Sequence, residues 1–200
     1  MARRAPRAPR VIGGTARGRR LAVPPGTDVR PTKDVVREAL FSALDARGRV
    51  AGAAVLDCYA GSGALAIEAL SRGARVAVLV EQDPRAADAI ERNLDALGLR
   101  DRARLVRADV LRAIAGAAPA EAPFDLVFVD PPYVTTDADV GALLGAIVGS
   151  GWCAPGALVV LERPASAHVG APPGVGIPWE RRFGDTLVAF LERTEDTEGG

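Results

Sequence analysis

From residue 53 onward the chain alternates short apolar runs with helical stretches, an order that few folds accommodate. Val55-Leu-Asp57 reads as a buried strand, and a helix over about 64–72 follows and closes at Gly73. Val76 to Val80 is a second strand. Asp83 is placed to cap the next helix, with Pro84 at its first position and Gly98 just past its end. Ala103–Arg107 gives a third strand, a helix over about 110–117 comes next, and Phe124–Val129 gives a fourth strand. A helix over about 138–149 and strands at 157–162 and 187–192 complete the pattern. Strands joined by helical crossovers must run parallel, with helices on both faces of one sheet. The expected class is therefore α/β.

What precedes residue 53 is of a different kind. Arg10-Val-Ile-Gly-Gly14 and Gly18 to Val23 flank a glycine-rich turn and read as a small hairpin, ended by Pro24-Pro25-Gly26. Thr32 is placed to cap a helix over about 33–45, with Val36, Leu40, Ala43 and Leu44 on one face and Lys33 and Arg37 on a more polar one. Residues 1–49 hold twelve Arg or Lys against four Asp or Glu; the rest holds thirteen against twenty-one, so a net charge of zero hides a basic arm on an acidic body. Such an arm suits a polyanion; the bland alternative is arginine-rich composition, since Lys33 is the only lysine.

Two hundred residues with 48% hydrophobic content fit one compact domain with a short appendage. The expected organisation is a basic disordered tail over 1–9, an extension over 10–49, a main domain over 50–193 and a frayed acidic tail over 194–200. Apolar stretches are too short and too charged to span a membrane, and the first ten residues lack a signal-peptide core. Cys58 and Cys153 stand far apart with no metal-ligand spacing, so neither a disulfide framework nor a metal site is expected, and the cytosol is the expected compartment.

Gly61-Ser62-Gly63-Ala-Leu-Ala66, after a strand and opening a helix, matches the Rossmann-like glycine fingerprint, with Ala60 leading into it. Glu81 ends the next strand, eighteen residues past Gly63, where a carboxylate can accept both hydroxyls of a ribose; Gln82 adjoins it. This pattern alone serves NAD or S-adenosylmethionine equally. Asp57 favours the second: a carboxylate there repels a pyrophosphate but attracts a sulfonium and an α-ammonium. Asp57 could instead cap the loop. Asp109, followed by Val110, can accept from an adenine amino group or cap its helix, or do both.

Asp130-Pro131-Pro132-Tyr133 is the most specific feature. It follows a central strand directly, at the carboxyl edge where open α/β sheets bind ligands. Prolines stiffen this turn and donate no hydrogen bonds, leaving the Pro131 carbonyl and the Asp130 carboxylate as convergent acceptors. Two acceptors suit an exocyclic –NH₂, whose lone pair is delocalised until both hydrogens are held out of plane. Alignment and stabilisation of the charge developing on nitrogen would then be the catalytic contribution. Tyr133 can stack on a base, worth roughly 1–3 kcal/mol, comparable to the cost of extruding one.

Together Asp57 to Ala74, Val80-Glu-Gln-Asp83 and Asp130 to Tyr133 resemble the RsmD family of bacterial methyltransferases. So do Arg10 to Gly14, Arg17 to Leu21, Arg30 to Asp34 and Val36 to Phe41, and the likeness covers about residues 10–193. Tyr59, where that family often has phenylalanine, and Ala66, where glycine is common, depart mildly. The resemblance implies a class I S-adenosylmethionine-dependent methyltransferase with a seven-stranded, mostly parallel sheet whose last strand is antiparallel. It implies methylation of a guanine N2 amino group in 16S rRNA of the small ribosomal subunit or a late assembly intermediate; a monomer is the expected state. Asp57, Ala60 to Gly63, Glu81, Gln82, Asp109 and Val110 would hold the cofactor and Asp130 to Tyr133 the guanine. Arg10, Arg17, Arg19, Arg20, Arg30, Thr32 and Lys33 would contact RNA, positioning the enzyme on phosphates.

Other readings compete. A DNA or RNA amino-methyltransferase acting on adenine N6 or cytosine N4 would share the acceptor pair, but usually needs a separate recognition region. A protein-glutamine methyltransferase leaves the basic arm without a partner. A non-catalytic RNA-binding module fits poorly with an intact motif, and an NAD oxidoreductase fits poorly with Asp57. His168 reads as loop filler; Trp152 and Trp179 read as packing residues, with Trp179 near enough to Arg181 and Arg182 to meet RNA.

Overall fold

The computed structural model describes residues 8–24, 31–149, 151–167 and 169–193. Most of the expected tail over 1–9, the whole of 194–200, Arg30 and His168 lie outside the described residues, as does the Thr32 side chain.

The helices are α1 (Pro31–Asp45), α2 (Ala64–Ser71), α3 (Pro84–Leu97), α4 (Val110–Ala115) and α5 (Asp137–Gly149). The strands are β1 (Ala54–Cys58), β2 (Val76–Glu81), β3 (Ala103–Arg107), β4 (Phe124–Val129), β5 (Cys153–Pro164), β6 (Val175–Phe183) and β7 (Thr186–Arg193). They form one sheet in the order β3-β2-β1-β4-β5-β7-β6, parallel through β5, with β7 antiparallel to both β5 and β6. β1 and β4, at its centre, are apolar almost throughout because both of their faces are covered. One core lies between the sheet and α1, α2 and α3, and includes Phe41, Ile67, Ile90 and Phe128. A second lies beneath α4 and α5, around Ile114, Phe124, Leu143 and Leu161. Reversal of the chain order beside β1 opens the crevice at the carboxyl ends of β1 and β4. No helix among the described residues is long and apolar enough to cross a membrane.

Periodicity located the parallel half well, down to the Asp83 cap, whose carboxylate accepts from the Arg85 and Ala86 amides. Elsewhere the structure departs from expectation. β5 extends well beyond 157–162, and β6 has no counterpart in the pattern. β6 is an edge strand containing Gly176 and Pro178, with a register shift between Gly176 and Trp179, so its alternation is broken. Trp179 packs on Phe190 with ring centroids 4.4 Å apart. Helix α1 begins at Pro31, so Thr32 stands inside the first turn rather than at the cap; proline is pre-set for that position. Arg37 is buried rather than on a polar face: its Nη2 donates to the Arg10 carbonyl at 2.7 Å and to Asp34 Oδ1 at 2.9 Å.

The expected hairpin is reduced to a single antiparallel bridge between Arg10 and Arg20. Its strength comes from elsewhere. Val11 and Leu21 are buried in the first core. Glu68, fully buried on α2, accepts from the amides of Ile12 and Gly13 at 2.7 Å each and from Arg72 Nε at 2.7 Å. A buried carboxylate is tolerable only when its lone pairs are taken up in this way. The arm is thereby fastened to α2.

Candidate active site

The loop from β1 to α2 turns sharply. Tyr59 adopts φ 61°, Gly61 φ 57° and Gly63 φ 76°. At Gly63 an added Cβ would lie 3.0 Å from Leu79 Cδ2, so this glycine lets the loop press onto the sheet. At Gly61 the nearest atom to such a Cβ is 4.0 Å away, which leaves open space over the backbone, the condition for a ligand to lie against it. Tyr59, a non-glycine residue in the left-handed region, stores strain beside that space, a feature the motif did not reveal.

Three acids surround the loop, and each is held by backbone donors. Asp57, buried at the end of β1, accepts from Ala66 N at 3.0 Å, supplying the cap that Gly63 lacks at the start of α2. Glu81 accepts from Gly61 N with one oxygen and from Asp83 N with the other, both at 2.8 Å. Asp109 caps α4 through Arg112 N at 3.1 Å. The capping readings of Asp57 and Asp109 are thus present in the structure; each carboxylate still has lone pairs to spare. Ala60 and Val110 are buried beside them, Ser62 is half-buried and Gln82 exposed. Asn93, buried on α3, was not singled out by sequence. It donates to the Ser62 carbonyl and exchanges two hydrogen bonds with the Ala22 backbone, so it joins the glycine loop to the arm.

Burial lifts the Asp57 carboxyl to about 7; the Ala66 amide opposes this, and Asp130 and Glu81 add to it. Such a site gains by receiving a cation. The open backbone at Gly61 and this concentration of negative charge fit S-adenosylmethionine, which carries a sulfonium and an ammonium.

The turn after β4 faces the same space. A cavity of about 210 Å³ is bounded by Gly61 and Ser62, by Asp130 and Tyr133, by Lys33 and Arg37 of α1, and by Glu162 and Arg163 of β5. Asp130 is half-buried, burial raises its pKa, and Lys33 Nζ, 4.0 Å from Oδ2, opposes the rise. Pro131 is buried and Pro132 exposed. The Pro132 carbonyl accepts from Thr135 N at 2.9 Å, whereas no backbone amide among the described residues donates to that of Pro131. Tyr133 is 57% exposed and free to meet a planar partner. Arg163 braces the following segment by donating to the Thr135 carbonyl at 2.9 Å and to Asp137 at 2.8 Å.

Of the residues assigned to RNA, Arg10, Arg17, Arg19 and Arg20 are exposed along the arm, and Arg19 donates one N–H to the Ala96 carbonyl. Lys33 lies at the cavity instead, opposite Asp130. Sequence reasoning passed over Glu162 and Arg163. An acid ending the apolar run 157–161 at a strand tip is the signal that had pointed to Glu81, and it was available here too.

A parallel sheet closed by an antiparallel β7, with a glycine loop after β1 and acids at the tips of β1 and β2, defines a class I S-adenosylmethionine-dependent methyltransferase. Residues 9–192 match the family model described as "Conserved hypothetical protein 95". Ribosomal RNA small subunit methyltransferase D of Escherichia coli is 39% identical over 153 residues, 76% of this chain and 73% of that protein. YlbH of Bacillus subtilis is 42% identical over 124 residues, 62% of this chain and 66% of its own length. The solved structure of yhhF from Escherichia coli superposes with a TM-score of 0.81 at 35% identity, covering 94% of this chain and 98% of that one. The chain belongs to the RsmD family.

Proposed function

We propose that this enzyme methylates the exocyclic N2 amino group of one guanine in 16S rRNA of the small ribosomal subunit, using S-adenosylmethionine. The observation that carries this reading is the shared cavity, which Asp130 and Tyr133 line together with Gly61, whose backbone is open. Small-subunit rRNA is the target named for the Escherichia coli relative.

When bound, S-adenosylmethionine supplies an electrophilic methyl carbon on a sulfonium. The chain's own residues do the rest. Glu81, Asp57 and Asp109 would hold the cofactor, and the Gly61-to-Gly63 turn lets it lie against the backbone. The Asp130 carboxylate and the Pro131 carbonyl would each accept one N–H of the target amine. Held so, the nitrogen pyramidalises and its lone pair is released from the ring towards the methyl carbon. Asp130 would stabilise the positive charge that develops on nitrogen and stands ready to accept the proton lost. Tyr133 would stack on the extruded base. Arg10, Arg17, Arg19 and Arg20 would neutralise phosphates, with Arg30 and the 10–49 segment as the RNA-facing extension of a cytosolic monomer.

The test is to supply labelled S-adenosylmethionine with assembled small subunits, naked 16S rRNA, DNA and total protein as separate acceptors. Label on a single guanine of the subunit or its RNA, mapped to N2, is the expected result. Incorporation into DNA, protein or another base would overturn it.

A further inference from the structure

β4 and β5 are parallel neighbours in which Val129 pairs with Leu161, so the next residues, Asp130 just past β4 and Glu162 still within β5, stand side by side. Leu161 points into the core beneath α4 and α5, whereas Leu158 and Val160 point into the core beneath α1. Alternation puts Glu162 on the α1 side, where it lines the cavity with Asp130 and Lys33. Burial lifts its carboxyl to about 8; Asp130 and Asp57 add to the rise, and Lys33 and Arg37 oppose it. Unlike Asp57, Glu81 and Asp109, it holds no hydrogen bond among the described residues. A half-buried carboxylate without a donor is costly unless something else supplies one.

The heterocycles with exocyclic amines differ in what adjoins the amine. Guanine has a ring N1–H donor next to N2. Adenine and cytosine have a ring-nitrogen acceptor next to N6 and N4, respectively, and no N–H on the other side. With an amine held by Asp130, the adjacent acceptor at Glu162 meets a donor in guanine and a repelling lone pair in the other two. We infer that Glu162 is a specificity-determining residue that accepts the N1–H of the target guanine while Asp130 accepts from N2. The inference rests on the guanine-N2 reading above. Donation from N1–H would favour the ionised carboxylate, with Lys33 and Arg37 and against burial, so the bound base supplies the hydrogen-bond donor that this carboxyl lacks among the described residues.

The probe is a reconstituted small subunit with either guanosine or 2-aminopurine riboside at the methylated position. 2-Aminopurine keeps the amine but has a bare acceptor at N1. The wild-type enzyme should prefer guanosine by roughly ten- to a hundredfold in kcat/KM. In Glu162→Gln the amide can turn to accept from one base or donate to the other, so the preference should fall at least about tenfold while S-adenosylmethionine affinity stays unchanged. Glu162→Asp, shorter but still acceptor-only, should keep the preference at a lower rate. An unaltered preference in Glu162→Gln overturns the inference, as does equal loss in the Gln and Asp variants, which would mark a structural role. Failure of the parent reading shows separately, as label on an atom other than guanine N2 with the wild-type enzyme.

Discussion

The two halves of the crevice treat their acids in opposite ways. At the tips of β1 and β2 and after β3, Asp57, Glu81 and Asp109 are each engaged by backbone amides at 2.8–3.1 Å, so the loop keeps its shape before any ligand arrives. At the tips of β4 and β5, Asp130 and Glu162 take no backbone donor among the described residues and face a cavity with Lys33. The difference teaches a division of labour. Acids already bound to the backbone position a ligand by geometry and charge, at no reorganisation cost. Acids left open have hydrogen-bonding capacity that a substrate can fill, and the proposed reading puts specificity and chemistry there.

Substitution on the two sides should therefore fail differently. Asp130→Ala is expected to lower turnover by about two to three orders of magnitude with S-adenosylmethionine affinity intact, the scale of loss when a group stabilising developing charge is removed. Methyl transfer at the wild-type rate would break the contrast. Glu81→Gln should do the reverse. The Gly61 and Asp83 amides would face an NH₂ group at one end, the loop would loosen, and cofactor affinity should fall roughly ten- to a hundredfold by calorimetry. A variant that binds the cofactor normally would mean that the Glu81 hydrogen bonds do not shape the cofactor site.

Asp57 gives a finer measure. Its carboxyl sits at about 7, raised chiefly by burial, so it is largely neutral below that value and ionised above it. An ionised Asp57 attracts a cation, so affinity for S-adenosylmethionine should climb between roughly pH 6 and 7.5, by no more than about tenfold per unit because one proton is involved. Stability runs the other way. With its folded value above the unfolded 3.8, Asp57 favours folding at low pH and loses that contribution as pH rises towards 7. Asp57→Asn should flatten the affinity profile; an unchanged slope would assign the titration to another group.

Much of this was legible in the sequence because local chemistry dictates it. A glycine turn after a buried strand, a Pro-Pro turn after another and an Asp-Pro helix start need no tertiary information, and they fell where the pattern put them. What escaped detection depends on packing between distant segments. Glu68 carries no signal of its own in the sequence; its role comes from the arm, whose Ile12 and Gly13 amides fill its oxygens. Arg37 reads as polar surface until Arg10 and Asp34 close around it. Glu162 gains meaning only from the register that sets it beside Asp130.

The smallest effect concerns the arm, and the structure changes how it must be sought. Deleting residues 1–23 is the obvious way to separate RNA binding from cofactor binding. Yet that deletion removes Val11 and Leu21 from the core, strips the buried Glu68 of two donors and takes away Ala22, to which Asn93 ties the glycine loop. Both halves of the crevice would suffer, and the loss would say nothing of RNA. Replacing Arg17 and Arg20 by Gln leaves the packing alone, since both side chains are exposed. Every phosphate that is no longer neutralised should flatten the plot of log affinity against log salt by about 0.7–0.9. The double variant should therefore bind small subunits a few-fold more weakly at low salt, with a slope shallower by up to about 1.8, and bind S-adenosylmethionine as before. An unchanged salt slope would move the RNA surface elsewhere on the molecule, with Arg181 and Arg182 on β6 the next place to look.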